Sequence, residues 1–297
     1  MRKSFAAPAR SGALSTNVPS KSKRIAWGKR ILALSLIALL KWAIGLFLVI
    51  SGLASGILAG LLGIGGGTIL VPLQLAFGYT PLQAVATSSL AIVITATSGT
   101  IQNWRMGYIN IQRVILLGIP AIVTAYLSAG FTKFIPAKNQ LVSFGILLLF
   151  TIYLVDLRKN LSKKQQEAEQ NQQSKISSII SRIITGGAAG ILAGIFGVGG
   201  GVIMVPLQIL LLGETIKVAI QTSLGVIVLS SISAATRHAF EGNILVVPGL
   251  ILGFGGLVGA QLSTRFLPRL PDKVVSLTFR VGLAILAVYV FWKASTI

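Results

Sequence analysis

Ten apolar stretches alternate with short polar ones along the chain, at about 31–62, 64–78, 84–102, 113–131 and 139–157, then at about 179–198, 200–212, 219–237, 244–266 and 274–293. Stretches near the roughly 20 residues of a bilayer-spanning helix predict an all-α, polytopic membrane protein. The stretch from Trp42 to Phe77 is too long for one span. As a single helix it would extend about 54 Å against a hydrocarbon core of about 30 Å, so it must break or turn back.

The pattern also repeats. Gly56–Gln74 returns as Gly190–Gln208 with 14 of 19 positions identical; the differences are Leu61/Ile195, Leu62/Phe196, Ile64/Val198, Thr68/Val202 and Leu70/Met204. With one residue inserted the register continues, so that Thr87-Ser88 matches Thr222-Ser223, Gly107 matches Gly242, and Pro136-Ala137-Lys138 matches Pro271-Asp272-Lys273. A period of about 135 residues is far beyond the roughly 20 to 50 of solenoids and propellers. It fits the duplicated halves that surround a central site in many secondary transporters.

The break in the long stretch belongs at Gly63, Gly65, Gly66 and Gly67, and its counterpart at Gly197, Gly199, Gly200 and Gly201. Clustered glycines are poor helix formers and accept backbone geometry closed to other residues. Irregular backbone in a bilayer survives only when buried in protein or lining a cavity. Two matched breaks therefore point to a transport site, where freed amides and a half-helix N-terminus offer partial positive charge to an anion. Close packing through Gly-xxx-Gly contacts is the alternative. A phosphate loop or dinucleotide fingerprint does not fit, because no Gly-Lys-Ser/Thr ending and no acidic residue in an αβ setting follows.

Composition sharpens this reading. With 54% hydrophobic and 11% charged residues, the chain needs lipid as its main solvent. The formal charge of +20 would suggest nucleic acid in a soluble protein, but the basic residues flank the apolar stretches. Eight of the 26 precede residue 31 and six lie between Arg158 and Arg182, where they set orientation and meet anionic headgroups at about 1 kcal/mol each. No nucleic-acid partner is expected. The six acidic residues, Asp156, Glu167, Glu169, Glu214, Glu241 and Asp272, all fall in or beside expected loops. A membrane core free of carboxylates but rich in Gly, Ser, Thr and Gln suits a small inorganic or organic anion. The chain has no cysteine and one histidine, so no metal site and no cofactor is expected.

These residues resemble the TauE/SafE sulfite exporters, an anion permease family of four plus four helices. The resemblance rests on the doubled Gly-x-Gly-Gly-Gly-x-x-x-x-Pro element at Gly63–Pro72 and Gly197–Pro206, each followed by Ala-x-x-Thr-Ser at Ala84–Ser88 and Ala219–Ser223, and it covers about residues 42–293. It implies transport of small sulfur-containing anions such as sulfite, thiosulfate, sulfate or an organosulfonate, without saying which. Carried onto this chain, it places the site at the two glycine breaks and the pairs Thr87-Ser88 and Thr222-Ser223, with Gln74 and Gln208 nearby. Hydroxyls and amides can donate to sulfite oxygens, although Ser and Thr in membrane helices also bond back to their own backbone.

Arg105 and Arg237 are candidate gates at one mouth, or ordinary positive-inside anchors. His238 is read as an interfacial side chain. The expected organisation is a basic, disordered tail over 1–30, a transmembrane repeat over 31–157, a polar linker over 158–178 and a second repeat over 179–297. If tail and linker are both cytoplasmic, each half crosses an even number of times; five crossings per half would invert the second half. The preferred topology is four plus four, in an inner (plasma) membrane with a cytoplasmic N-terminus, and small-residue faces allow a homo-oligomer. An anion channel is the nearest rival function. An intramembrane enzyme lacks a base near Ser88 or Ser223, and a scaffold would not need two matched breaks.

Overall fold

The computed structural model describes residues 21–165 and 175–296. The first 20 residues of the expected tail and the centre of the expected linker, 166–174, lie outside the described residues. Met1–Ile44 and Gly45–Ile297 form separate units. In the first unit, the described residues 21–44 are helical. The second unit holds everything that follows.

All regular structure among the described residues is helical: α1 (Lys21–Leu62), α2 (Gly67–Ala76), α3 (Pro81–Arg105), α4 (Ile111–Phe131), α5 (Ala137–Gln165), α6 (Lys175–Phe196), α7 (Gly201–Leu211), α8 (Ile216–Phe240), α9 (Val246–Phe266) and α10 (Asp272–Ser295), with short 3-10 turns after α4 and α9. The basic residues 21–30 and the ends of the expected linker, 158–165 and 175–178, are helical where tail and linker were expected. Their Lys, Arg, Gln and Leu are strong helix formers once joined to an apolar helix. Local chemistry sets several starts. Thr80 and Gln83 close a capping box with Pro81 at the first helical position of α3, Asn110 caps α4, and Thr215 caps α8.

Eight helices are long and apolar enough to span a membrane, and α2 and α7 are shorter apolar helices between them. Leu46, Ile119, Phe254 and Val288 point outward at 62%, 58%, 62% and 71% exposure, a surface that only lipid covers. The chain is a multi-pass membrane protein. The most buried spans are α3 and α8, at 67% and 72%, against 28–44% for the others, so these two form the centre.

Small residues let the surrounding helices approach closely and fix their directions. A Cβ on Gly52, Gly56 or Gly60 of α1 would collide with Leu252, Gly256 or Ser263 of α9, and Gly249, Gly253 and Gly256 of α9 face Thr87 and Leu90, Ile94 and Thr95 of α3. Residue numbers rise together in both pairs, so α1, α3 and α9 run parallel. On the other side Gly186, Gly190 and Gly194 of α6 meet Leu117, Ala121 and Ala125 of α4, while Gly118 and Gly130 of α4 meet Leu229 and Arg237 of α8. Helices α4, α6 and α8 are therefore parallel as well. Since α4 follows α3 through the short connection 106–110, the second group runs opposite to the first.

These directions correct the expected even number of crossings per half. Because α1 and α3 point the same way, α2 must return the chain between them, and α7 does the same between α6 and α8. The passages become odd in number, and α6 starts in the direction opposite to α1. Each half keeps the expected four long spans, with one shorter apolar helix between the first two, and the second half runs opposite to the first.

Candidate functional site

Helix α1 stops at Leu62 and α2 starts at Gly67; the residues between hold Gly63, Gly65 and Gly66 at φ 66°, 76° and 80°. Between α6 and α7, Gly197, Gly199 and Gly200 repeat this at 62°, 79° and 78°. An L side chain in that left-handed region is strained by roughly 1 kcal/mol or more per residue, and among the described residues none but glycine has a positive φ.

The two loops pack on each other in a reciprocal way. A Cβ on Gly67 would fall inside van der Waals contact with the Gly197 carbonyl, and a Cβ on Gly201 would do the same with the Gly63 carbonyl. Gly65 Cα stands 3.7 Å from where a Gly199 Cβ would be. Ile92 of α3 and Ile227 of α8 close the crossing from both sides, each touching Gly65 and Gly199, and they pack together with Ala96. Ile92 meets Ile227 while Gly99, further along α3, faces Leu224, earlier on α8, so the two helices are antiparallel here. The crossing sits at the midpoint of the two central helices.

Hydrogen bonds hold the loops through their carbonyls. Ser223 Oγ donates to Gly63 O at 3.0 Å, Ser55 Oγ to Gly66 O at 2.8 Å and Ser230 Oγ to Gly199 O at 3.3 Å. The amides behave differently. Gly63 N donates to Ala59 O and Gly197 N to Ala193 O, whereas the N–H groups of Ile64, Gly65, Gly66, Val198, Gly199 and Gly200 donate none of the recorded backbone bonds. Neither Gly66 nor Gly200, the N-cap of its half-length helix, offers a side-chain cap. Buried amides in this state are costly, and with two helix N-termini beside them they give the crossing a positive potential.

The other expected site residues are buried but unequally placed. Gln74 Nε2 donates to Ser88 Oγ at 2.7 Å and lies 3.4 Å from Ala84 O, so it ties α2 to α3. Gln208 Nε2 reaches Ala219 O at 3.3 Å on the matching side. Thr87 Oγ1 accepts from the Leu245 amide at 3.1 Å, which engages it at the start of α9 and away from the loops. Thr222 is buried at 2% exposure. Ser88 and Ser223 thus occupy equivalent positions with different partners: one receives from Gln74, the other donates to the opposite loop. Ser55 and Ser230, which bind loop carbonyls, were missed because their counterparts one repeat away, Ala189 and Thr95, do not match them.

Arg105 and Arg237 do not share a mouth. They end α3 and α8, which run in opposite directions, so the two side chains lie at opposite ends of the bundle. Arg105 is exposed. Arg237 pairs with Glu241 at 3.0 Å and lies over the Tyr126 ring at 5.5 Å, while Lys133 approaches Glu241 at 3.6 Å.

A family model described as "Sulfite exporter TauE/SafE" matches residues 27–290. The chain belongs to the TauE/SafE family. Its relatives include the "Probable membrane transporter protein YunE" of Bacillus subtilis, 27% identical over 264 residues covering 83% of this chain and 97% of the relative. The "Probable membrane transporter protein YdhB" of the same organism is 28% identical over 222 residues, covering 74% and 89%. A "Probable membrane transporter protein" of Xylella fastidiosa is 29% identical over 253 residues, covering 82% and 94%. No solved structure matches the chain. Membership in TauE/SafE places the crossed loops in a family of membrane transporters, and among the described residues no group of three or more His, Cys, Asp or Glu could hold a metal ion.

Proposed function

We propose that this chain is a secondary transporter for small sulfur-containing anions, built from two inverted repeats over about 31–157 and 179–297, with the anion held where the glycine-broken helices cross. The carrying observation is the pair of interlocked loops whose carbonyls are bonded while the amides of Ile64, Gly65, Gly66, Val198, Gly199 and Gly200 donate no recorded backbone bond. Such amides, set at the N-termini of α2 and α7, bind oxyanion oxygens without a fixed cation and so release them readily. Antiparallel α3 and α8 give the fold its two equivalent ways of opening, one toward each membrane face. Energy for uphill movement comes from an ion or substrate gradient.

The test is uptake and efflux of radiolabelled sulfite, thiosulfate, sulfate, taurine and sulfoacetate in proteoliposomes, with and without a proton gradient. Saturable flux with counterflow of one anion supports the carrier. Flux that rises linearly with concentration supports an anion channel, and no flux of any anion removes the proposal.

A further inference from the structure

His238 and Asn103 are equivalent residues of the two halves, and both are fully buried at 0% exposure; the Asn103 amide has no hydrogen-bond partner, and the His238 ring has only loose contact with the Gly194 backbone beside it. Their backbones take the same turn: Tyr108 N donates to Asn103 O at 3.0 Å and Asn243 N to His238 O at 3.1 Å. His238 lies two residues from the end of α8, at the level expected of an interfacial side chain, but is turned into the bundle and buried. Buried polar side chains so poorly satisfied, at two matched positions, are expensive for packing alone, since each unpaired atom costs about 1–3 kcal/mol.

The surroundings decide what His238 can bind. Helices α4, α6 and α8 are parallel and end together here, as Gly130 faces Arg237 and Thr132 Oγ1 donates to Gly194 O at 3.1 Å. The His238 ring lies beside the Gly194 backbone, Arg237 and Glu241. Burial and Arg237 oppose a proton on the ring, while the C-terminal ends of α4, α6 and α8, which carry partial negative charge, and Glu241 favour one. The charged and titratable groups at this end are Arg237 and Glu241 on α8, Tyr126 on α4, Lys133 in the turn after α4 and Lys138 in the first turn of α5, where Gln140 reaches Ile195 O of α6. Of the remaining neighbours α7 carries no titratable group, Arg105 of α3 lies at the far end, Arg182 of α6 is near the start of that helix, and α10, whose Asp272 pairs with Lys217 at the start of α8, carries Tyr289 and Lys293 toward the His238 end, with Tyr289 donating to Pro72 O on α2.

We propose that His238 is a proton-binding site of the transporter, seated among the C-termini of α4, α6 and α8, and that its proton is linked to anion flux. Asn103 holds the matching place among the ends of α1, α3 and α9 and cannot titrate, so the two faces of the protein respond differently to pH. This inference rests on the anion-transport reading for its functional half. The proton site itself stands apart from it.

Both halves can be tested on the full chain, purified with a tag that contains no histidine. His238 is the one histidine in the sequence, so histidine-selective nitrogen labelling gives a single imidazole signal with no assignment needed. That signal is expected to titrate between about pH 4 and pH 9 in lipid nanodiscs. A signal that stays in one protonation state over this range overturns the proposal. In proteoliposomes, sulfite flux of His238→Asn, which installs the residue of the equivalent position, is compared with the native protein. The ratio of the two is expected to change at least about fivefold between about pH 5.5 and pH 8, the titration of sulfite itself cancelling in the ratio. A constant ratio overturns the link to transport. If the native protein moves no sulfite at all, the anion reading fails, and the imidazole signal alone decides the proton site.

Discussion

Ser223 donates its hydroxyl to the carbonyl of Gly63 at 3.0 Å, a contact between residues 160 apart in sequence that pins the first glycine loop to the central helix of the other half. Removing the hydroxyl leaves a buried carbonyl with one bond fewer. Ser223→Ala is expected to lower stability by about 1–3 kcal/mol, read as a lower melting temperature in detergent. Ser223→Thr, which keeps the hydroxyl, should recover part of that loss. A melting temperature unchanged by Ser223→Ala would show that the loop is held without this bond.

The opposite directions of α3 and α8 predict a topology that can be read chemically. With no native cysteine to interfere, Tyr108→Cys and Asn243→Cys place single thiols at equivalent turns before α4 and α9. A membrane-impermeant maleimide should label the two from opposite faces. Labelling of both from one face would restore the even number of crossings per half.

What the sequence alone could convey explains why that topology had to be found in three dimensions. The all-helical class and the eight long spans follow from the lengths of apolar stretches, and length is what hydropathy measures. Direction is a different property. That α1 runs parallel to α3 depends on Gly52, Gly56 and Gly60 meeting α9 in rising order, a contact pattern no single helix records. The same gap misplaced Arg105 and Arg237 at one mouth. Thr87, chosen as half of a repeated pair, is engaged by the Leu245 amide, and Ser55 and Ser230 escaped because they break the repeat.

The ion cluster at the end of α8 gives the anion-transport proposal a test of its own. Arg237 and Lys133 share Glu241, and Arg237 is partly exposed, so under the proposed anion transport its charge would act on arriving anions more than on the bound state. Arg237→Gln is expected to raise the KM for the carried anion about two- to fivefold at low salt, with little change in maximal rate and a smaller effect as salt screens the charge. A lower maximal rate at unchanged KM would instead place Arg237 in the moving machinery.

The ion pair between Arg113 Nη1 and Glu214 Oε2, at 2.8 Å, joins the start of α4 to the connection between α7 and α8. Its partners are 36% and 13% exposed, so screening limits its worth. Arg113→Gln should cost no more than about 1 kcal/mol, with flux close to native. A large loss of flux at native stability would show that this contact holds the two halves in a transport-competent arrangement.

The most direct test of the crossed-loop site is radiolabelled sulfite counterflow through Gly67→Ala and Gly201→Ala beside the native protein. Each methyl would press on the carbonyl of the opposite loop and spread the crossing, while the rest of the bundle keeps its contacts. Native protein should show saturable counterflow, and both variants should fall at least about tenfold while remaining folded by their melting curves, a loss of about 1.4 kcal/mol or more in the transport step. Counterflow at the native rate through both variants would contradict an anion site at the crossing.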